Sequence, residues 1–243
     1  RASDYNEASV IRSKGNYYLK FPALESEFSF WKSMQVAPPL YEISQENSDE
    51  NKQARLLRTL FNKKRFLVFI QTADWFKKKY PSSKYLEIVS FMMGDAFIEL
   101  WKEEKIDALY DQAQNSYRVA LETYPQSILS ERTSLLTGMY AIDKLDFMTA
   151  VRKLQTHIDN KKFEGKISKH YAKMAIAYSF SKMNKLGDAL KYLEEIEKST
   201  TDIDLLTEAS VRRGDFYFYT KKLNEAIESY EFALKKFPKK AAA

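Results

Sequence analysis

From Gly214 to Pro238 the chain reads GDFYFYTKKLNEAIESYEFALKKFP, with apolar and polar positions recurring at helical spacing. The pattern predicts an amphipathic helical hairpin. Long stretches free of Gly and Pro, rich in Leu, Ala, Lys and Glu, carry the same helical signal through most of the chain. The stretch YLEIVSFMMGDAFIELW, from Tyr85 to Trp101, differs in leaving almost no clean polar face. A helix hydrophobic all round is expected at the centre of its neighbours. The sharper alternative is that part of it lines a ligand groove. The longest unbroken apolar run, Phe66 to Ile70, falls far short of the ~20 residues of a membrane helix.

The spacing within the last hairpin recurs. The ending Lys-Lys-Phe237-Pro238 has relatives in Lys-Lys-Tyr80-Pro81 and Glu-Thr-Tyr124-Pro125. With the Gly of each unit set as position eight, Gly15, Gly94 and Gly214 have Tyr18, Phe97 and Tyr217 three residues on. Gly138 with Ala141, and Ala177 with Phe180, fill the same slots. In the second helices Ala226, Tyr230 and Ala233 answer to Ala189, Leu193 and Ile196, and to Ala150, Leu154 and His157. Ala113, Tyr117 and Ala120 match after a short insertion around Lys102 to Ala108. Six units follow, at about 8–39, 50–81, 87–125, 131–162, 170–201 and 207–238.

These residues resemble the tetratricopeptide repeat, a helix-turn-helix of roughly 34 residues. The physical reasons fit. Small residues at positions eight and twenty let antiparallel helices approach closely, which predicts that Gly214 and Ala226 face each other. The closing Pro stops the second helix. The match is weakest at the start, where Glu27 stands for Ala in the first unit and Leu57 and Phe69 replace both small residues in the second. The passage from Phe76 to Phe97 also looks like bacterial envelope repeat proteins of the BamD and CpoB type. The resemblance implies an all-α, right-handed superhelical solenoid of about six hairpins, with no sheet. Residues 1–49 are read as a degenerate N-terminal hairpin with its connector, the polar stretch Leu40 to Gln53. Residues 50–243 are read as the array, continuous with it as one domain.

Composition changes the picture little. There is no cysteine among the 243 residues, so disulfides and thiolate chemistry are excluded. The net charge of +6 could suggest an acidic partner. Lys77-Lys78-Lys79 and Lys235-Lys236, however, each precede an aromatic-Pro pair. They are read as closing turns that complement the helix dipole, rather than as a nucleic-acid patch. The chain begins at Arg1 rather than Met, which is read as an interior piece of a longer protein, and Ala241 to Ala243 as an expression scar.

Candidate chemistry is sparse. His157 occupies a slot that packs between helices, and His170 opens a helix without a second ligand at helical spacing. No phosphate loop, nucleophile elbow or calcium loop is present. The reading is therefore non-catalytic, with no cofactor and no metal. In the family that the chain resembles, the first helices line a concave surface that binds protein segments. Carried over, this implies a partner-binding groove at Phe91, Met139, Tyr171, Met174, Tyr178, Phe218 and Tyr219. The implied partner is a protein or peptide segment within a multiprotein assembly, periplasmic or membrane-associated, of the cell envelope or of motility or secretion. Self-association through the C-terminal edge is a further expectation. A regulatory arm of a larger enzyme, or a nucleic-acid-binding repeat, stay open as other readings.

Overall fold

A computed structural model describes Ile11–Ser13, Asn16–Tyr18, residues 43 and 44, and residues 46–236. Among these residues ten α-helices follow one another as five hairpins. They are α1 (Asp49–Asn62) with α2 (Phe66–Lys79), α3 (Leu86–Glu104) with α4 (Asp107–Thr123), and α5 (Leu129–Asp143) with α6 (Phe147–Asp159). α7 (Ser168–Lys182) with α8 (Leu186–Ser199), and α9 (Ile203–Tyr219) with α10 (Leu223–Lys236), complete the series. The chain divides into two compact units, residues 29–133 and residues 1–28 with 134–243, and the change falls within α5.

The first expected hairpin is corrected in part. Ile11–Ser13 (β1) and Asn16–Tyr18 (β2) pair as a short antiparallel ribbon, with Ser13 opposite Asn16. Tyr18, which matched a helical slot, thus belongs to a strand. The rest of that expected hairpin, including Glu27, lies outside the described residues. The expected connector is also shorter than read. Ser48 caps α1 by accepting from the Asn51 N–H (3.2 Å), and Asp49 and Glu50 in the first turn suit the helix dipole.

In the 29–133 unit the core forms around α3. Its residues from Ile88 to Ala96 are buried without a break, which favours the central reading of this apolar helix over a groove. The α1–α2 hairpin, with Leu57 and Phe69 at the small-residue slots, closes on larger groups. Both are buried, and Phe61 sets its ring edge-on to Phe66 and Phe69 at 5.5 and 5.3 Å. The expected insertion is taken up by length in α3, which runs 19 residues to Glu104.

Repeated sequence gives repeated geometry at the exits. Tyr80 and Tyr124, each followed by Pro, close α2 and α4 with φ −124°, ψ 65° and φ −123°, ψ 60°. Both lie outside the α region, which the residue before Pro avoids, so both helices end there. The lysines 77–79, and Lys235 with Lys236, lie in last helical turns as expected.

The small residue at position eight meets a different partner from the one expected. A Cβ on Gly214 would lie 2.5 Å from the Tyr230 ring, one helical turn beyond Ala226. On Gly94 it would lie 2.4 Å from Tyr117, and on Gly138 2.5 Å from Leu154. Position eight therefore receives the side chain of position twenty-four in its own hairpin, while Ala226 is buried beside it. In two hairpins the phenol also ends on the residue after the Gly. Tyr117 donates to Asp95 (2.6 Å), and Tyr230 donates to Asp215 (2.8 Å).

This geometry ranks two substitutions. Tyr117 is fully buried and cannot swing away, whereas Tyr230 is partly exposed and can. Gly94→Ala should cost ~1–3 kcal/mol by overpacking, and Gly214→Ala distinctly less. Urea unfolding of both variants checks this, and equal costs would contradict the assignment.

Candidate partner-binding surface

The residues expected to line a groove separate by burial. Phe91 lies in the core of the 29–133 unit. Met139 and Met174 are equally enclosed in the other unit. These three present no surface to a partner. Their slots hold long apolar side chains that find cover within their own units, so hydrophobicity there reports packing. Tyr171, Tyr178 and Tyr219 are half-buried, and Phe218 is 55% exposed. All four belong to α7 and α9, the first helices of successive hairpins in the second unit.

Their positions follow from helix periodicity. Tyr171 and Tyr178 are seven residues apart and share one face of α7, while Ala172, Ala175 and Ile176 are buried on the others. Phe147, in the first turn of α6, meets Tyr178 edge-on with ring centroids 6.3 Å apart. The Lys182 ammonium stands 5.1 Å from the Tyr178 ring centre, within cation–π range. Phe218 and Tyr219 set their rings at 85° with centroids 5.8 Å apart. Phe147 was not anticipated. Its signal was an aromatic directly after Asp146, whose carboxylate caps α6 by accepting from the Thr149 N–H (3.1 Å).

The charges of α9 are engaged within the protein. Arg212 donates to Glu208 (2.6 Å) and Asp215 (2.9 Å). Burial works against its charge, but those two carboxylates outweigh burial and raise its pKa. Burial, then Asp215, pushes the Tyr219 phenol up, and the same causes push Tyr230 up further. Glu197 accepts from Arg213 (2.5 Å) and from Ser210 (3.0 Å), yet burial still raises its carboxyl. With these charges paired, Phe218 is the exposed aromatic of α9, near its C-terminal end, and Ile203 and Asp204 are exposed at its start.

The two histidines stand apart. His157 is fully buried, stacked on Phe163 at 4.7 Å, with Nε2 3.0 Å from the Ser168 hydroxyl. His170 has Nδ1 3.5 Å from the Ser199 hydroxyl. Among the described residues no group of three or more His, Asp or Glu converges to hold a metal ion. No helix among them is long and apolar enough to cross a membrane.

Two-helix units joined in series, three of them closed by a Gly under a large side chain, define a helical-repeat interaction scaffold. Residues 95–243, more than half of the chain, match the tetratricopeptide repeat-like domain, and the protein belongs to that family. Two solved structures share the fold. The MamA RS-1 ArsTM double mutant aligns over 79% of this chain and 96% of its own, with TM-score 0.54 and 10% identity. A crystal structure of MamA aligns over 82% and 99%, with TM-score 0.53 and 16% identity. Comparison with curated proteins finds no matching sequence.

His157 makes stability depend on pH. Burial first, and Lys169 second, hold its pKa at about 4, below the ordinary 6.5. The folded state thus prefers the neutral ring. This stability is fully present above pH 6.5 and is lost as pH falls toward about 4. At pH 5 the loss should reach roughly 2 kcal/mol. Urea unfolding at pH 7.5 and pH 5 should show that loss in the wild type and a smaller one in His157→Leu.

Proposed function

We propose that the protein is a non-catalytic scaffold that holds a segment of another protein against the aromatic surface of α7 and α9. The observation that carries this reading is the contrast along first-helix slots. Phe218 stands 55% exposed, with Tyr171, Tyr178 and Tyr219 half-exposed, while Met139 and Met174 at comparable slots are enclosed. Aromatic side chains that keep a wet face are effective anchors, because they bury much area for little lost rotamer freedom. With Arg212, Asp215, Glu197 and Arg213 paired within the protein, selection would rest on apolar and aromatic side chains of the ligand. An extended or helical peptide presenting such side chains at regular spacing fits this chemistry.

The setting we infer, a multiprotein assembly of the bacterial envelope or of motility or secretion, rests on the likeness of Phe76 to Phe97 to envelope repeat proteins. It rests on that likeness alone.

The test pairs binding with stability. A random peptide display library is selected on the intact chain, and the enriched peptides are titrated against wild type, Tyr178→Ala and Phe218→Ala. Each variant should keep its melting temperature within a few degrees and weaken binding by ~1–2 kcal/mol. Loss of stability with unchanged peptide affinity would show these rings to be structural. A selection that enriches nothing would also count against the surface.

A further inference from the structure

Of the connections between these hairpins, residues 160–167, between α6 and α7, form the longest and hold a short 3-10 turn, Lys161–Phe163. The backbone bonds of this connection run among its own residues and the helix ends it joins. The Phe163 N–H, for example, donates to Asn160 and the Lys166 N–H to Phe163. Phe163 is its one buried side chain, and Ser168, which opens α7, is fully buried. Both meet the same group. The His157 ring stacks on Phe163 at 27° with centroids 4.7 Å apart, and its Nε2 lies 3.0 Å from the Ser168 hydroxyl. The connection is thus held inward at two points, and one imidazole touches both.

The surroundings of that imidazole suit only its neutral form. A neutral ring has one donor and one acceptor, and the Ser168 hydroxyl can serve whichever falls on Nε2. An imidazolium carries N–H on both nitrogens, yet Nδ1 is buried with no hydrogen-bond partner. Nearby charges give no relief. α6 brings Arg152, Lys153 and Asp159, the connection Lys161, Lys162, Glu164 and Lys166, and α7 Lys169, His170 and Lys173. Asp159 accepts from Gln155 (2.8 Å) and Glu164 from Lys169 (2.9 Å), and neither bonds the ring. Glu195 of α8 pairs with Lys173 at 2.9 Å. Within this unit α5 carries only Asp143, at its C-terminal end, next to the turn that leads into the start of α6. Burial, then Lys169, disfavour a charged ring.

We propose that His157 is an acid-operated latch. Protonation of its ring releases Phe163 and Ser168, and residues 160–167 open with the first turn of α7 while the rest of the unit stays folded. Other buried side chains of α6 and α7, such as Leu154, Ala172 and Ile176, are apolar and do not change charge, which limits the opening. The freed turn carries Tyr171, so release also moves one ring of the surface proposed above. That consequence alone rests on the peptide-binding reading, and the opening itself is measured without a ligand.

Hydrogen exchange of the intact chain, followed by mass spectrometry at pH 7.5 and pH 5 and corrected for intrinsic exchange rates, tests this. Amides of residues 161–171 should open about thirtyfold more often at pH 5, for a ring held at about 4 when closed against 6.5 when open. His157→Leu should abolish that rise whatever its effect at pH 7.5, and His170→Gln should keep it. Amides of the 29–133 unit, which holds neither histidine, should change far less. If His157→Leu fails to fold, NMR titration of the wild type decides. The amide signals of residues 161–168 should then shift with the midpoint of the His157 ring. A rise of equal size throughout the second unit would reveal global unfolding and overturn the latch. So would a rise that survives His157→Leu or vanishes in His170→Gln, or amide signals indifferent to the ring.

Discussion

The close approach of two antiparallel helices at a residue without a side chain is the contact on which each well-formed hairpin depends. Gly94 lies under the ring of Tyr117, Gly138 under Leu154, and Gly214 under Tyr230. A Cβ at any of these positions would come within 2.5 Å of the facing side chain, well inside contact distance. The large residue can thus reach across the hairpin and fill the space between helices. In the 29–133 unit the same contact reaches the next hairpin. Asp95, held by the Tyr117 phenol, is also met by Arg132 of α5 at 3.2 Å. Both charged side chains are largely buried, so the pair is better understood as fixing register than as adding stability.

The hairpin turns show the same priority. Lys64, Lys105, Leu145, Asn184 and Lys221 each take positive φ, between 55° and 63°, at the turn between the two helices. For a non-glycine residue this conformation costs roughly 1–2 kcal/mol. Local bonds help to hold it, since Arg65, Asp146, Lys185 and Lys222 donate their N–H groups back to the carbonyls of Leu60, Ala141, Phe180 and Tyr217 and so close the end of the preceding helix. These caps and the helix-to-helix contact together offset the strain.

Much of this was legible in the chain, and the failures are instructive. Gly94, Gly138 and Gly214 at close helix contacts, Pro81 and Pro125 at the exits, and lysines in closing turns all carry a local physical reason, and these fall within or at the ends of helices as expected. The partner of Gly214 was misread because Ala226 is also small and buried, so smallness alone could not say which residue it faces. A better signal was present. Gly94-Asp95 with Tyr117, and Gly214-Asp215 with Tyr230, form a correlated triple whose phenol–carboxylate bond requires the ring to cross the Gly. Tyr18 misled for the opposite reason, since a match at few positions is weak and an aromatic serves a strand as well as a helix. The expected surface failed at Phe91, Met139 and Met174 because first-helix slots contribute both to packing and to exposed faces, and side-chain type does not separate the two.

Exposure then separates what the hydrophobic pattern merges. On α9, Arg212 and Arg213 are held by Glu208, Asp215 and Glu197, so the contact proposed for that helix rests on Phe218 and Tyr219. On α10 the exposed groups are instead aliphatic, with Leu223, Ile227 and Leu234 in a line and lysines at both ends. Aromatic groups with paired charges behind them suit varied apolar side chains, since each ring offers a flat face and no charge that demands a counterpart.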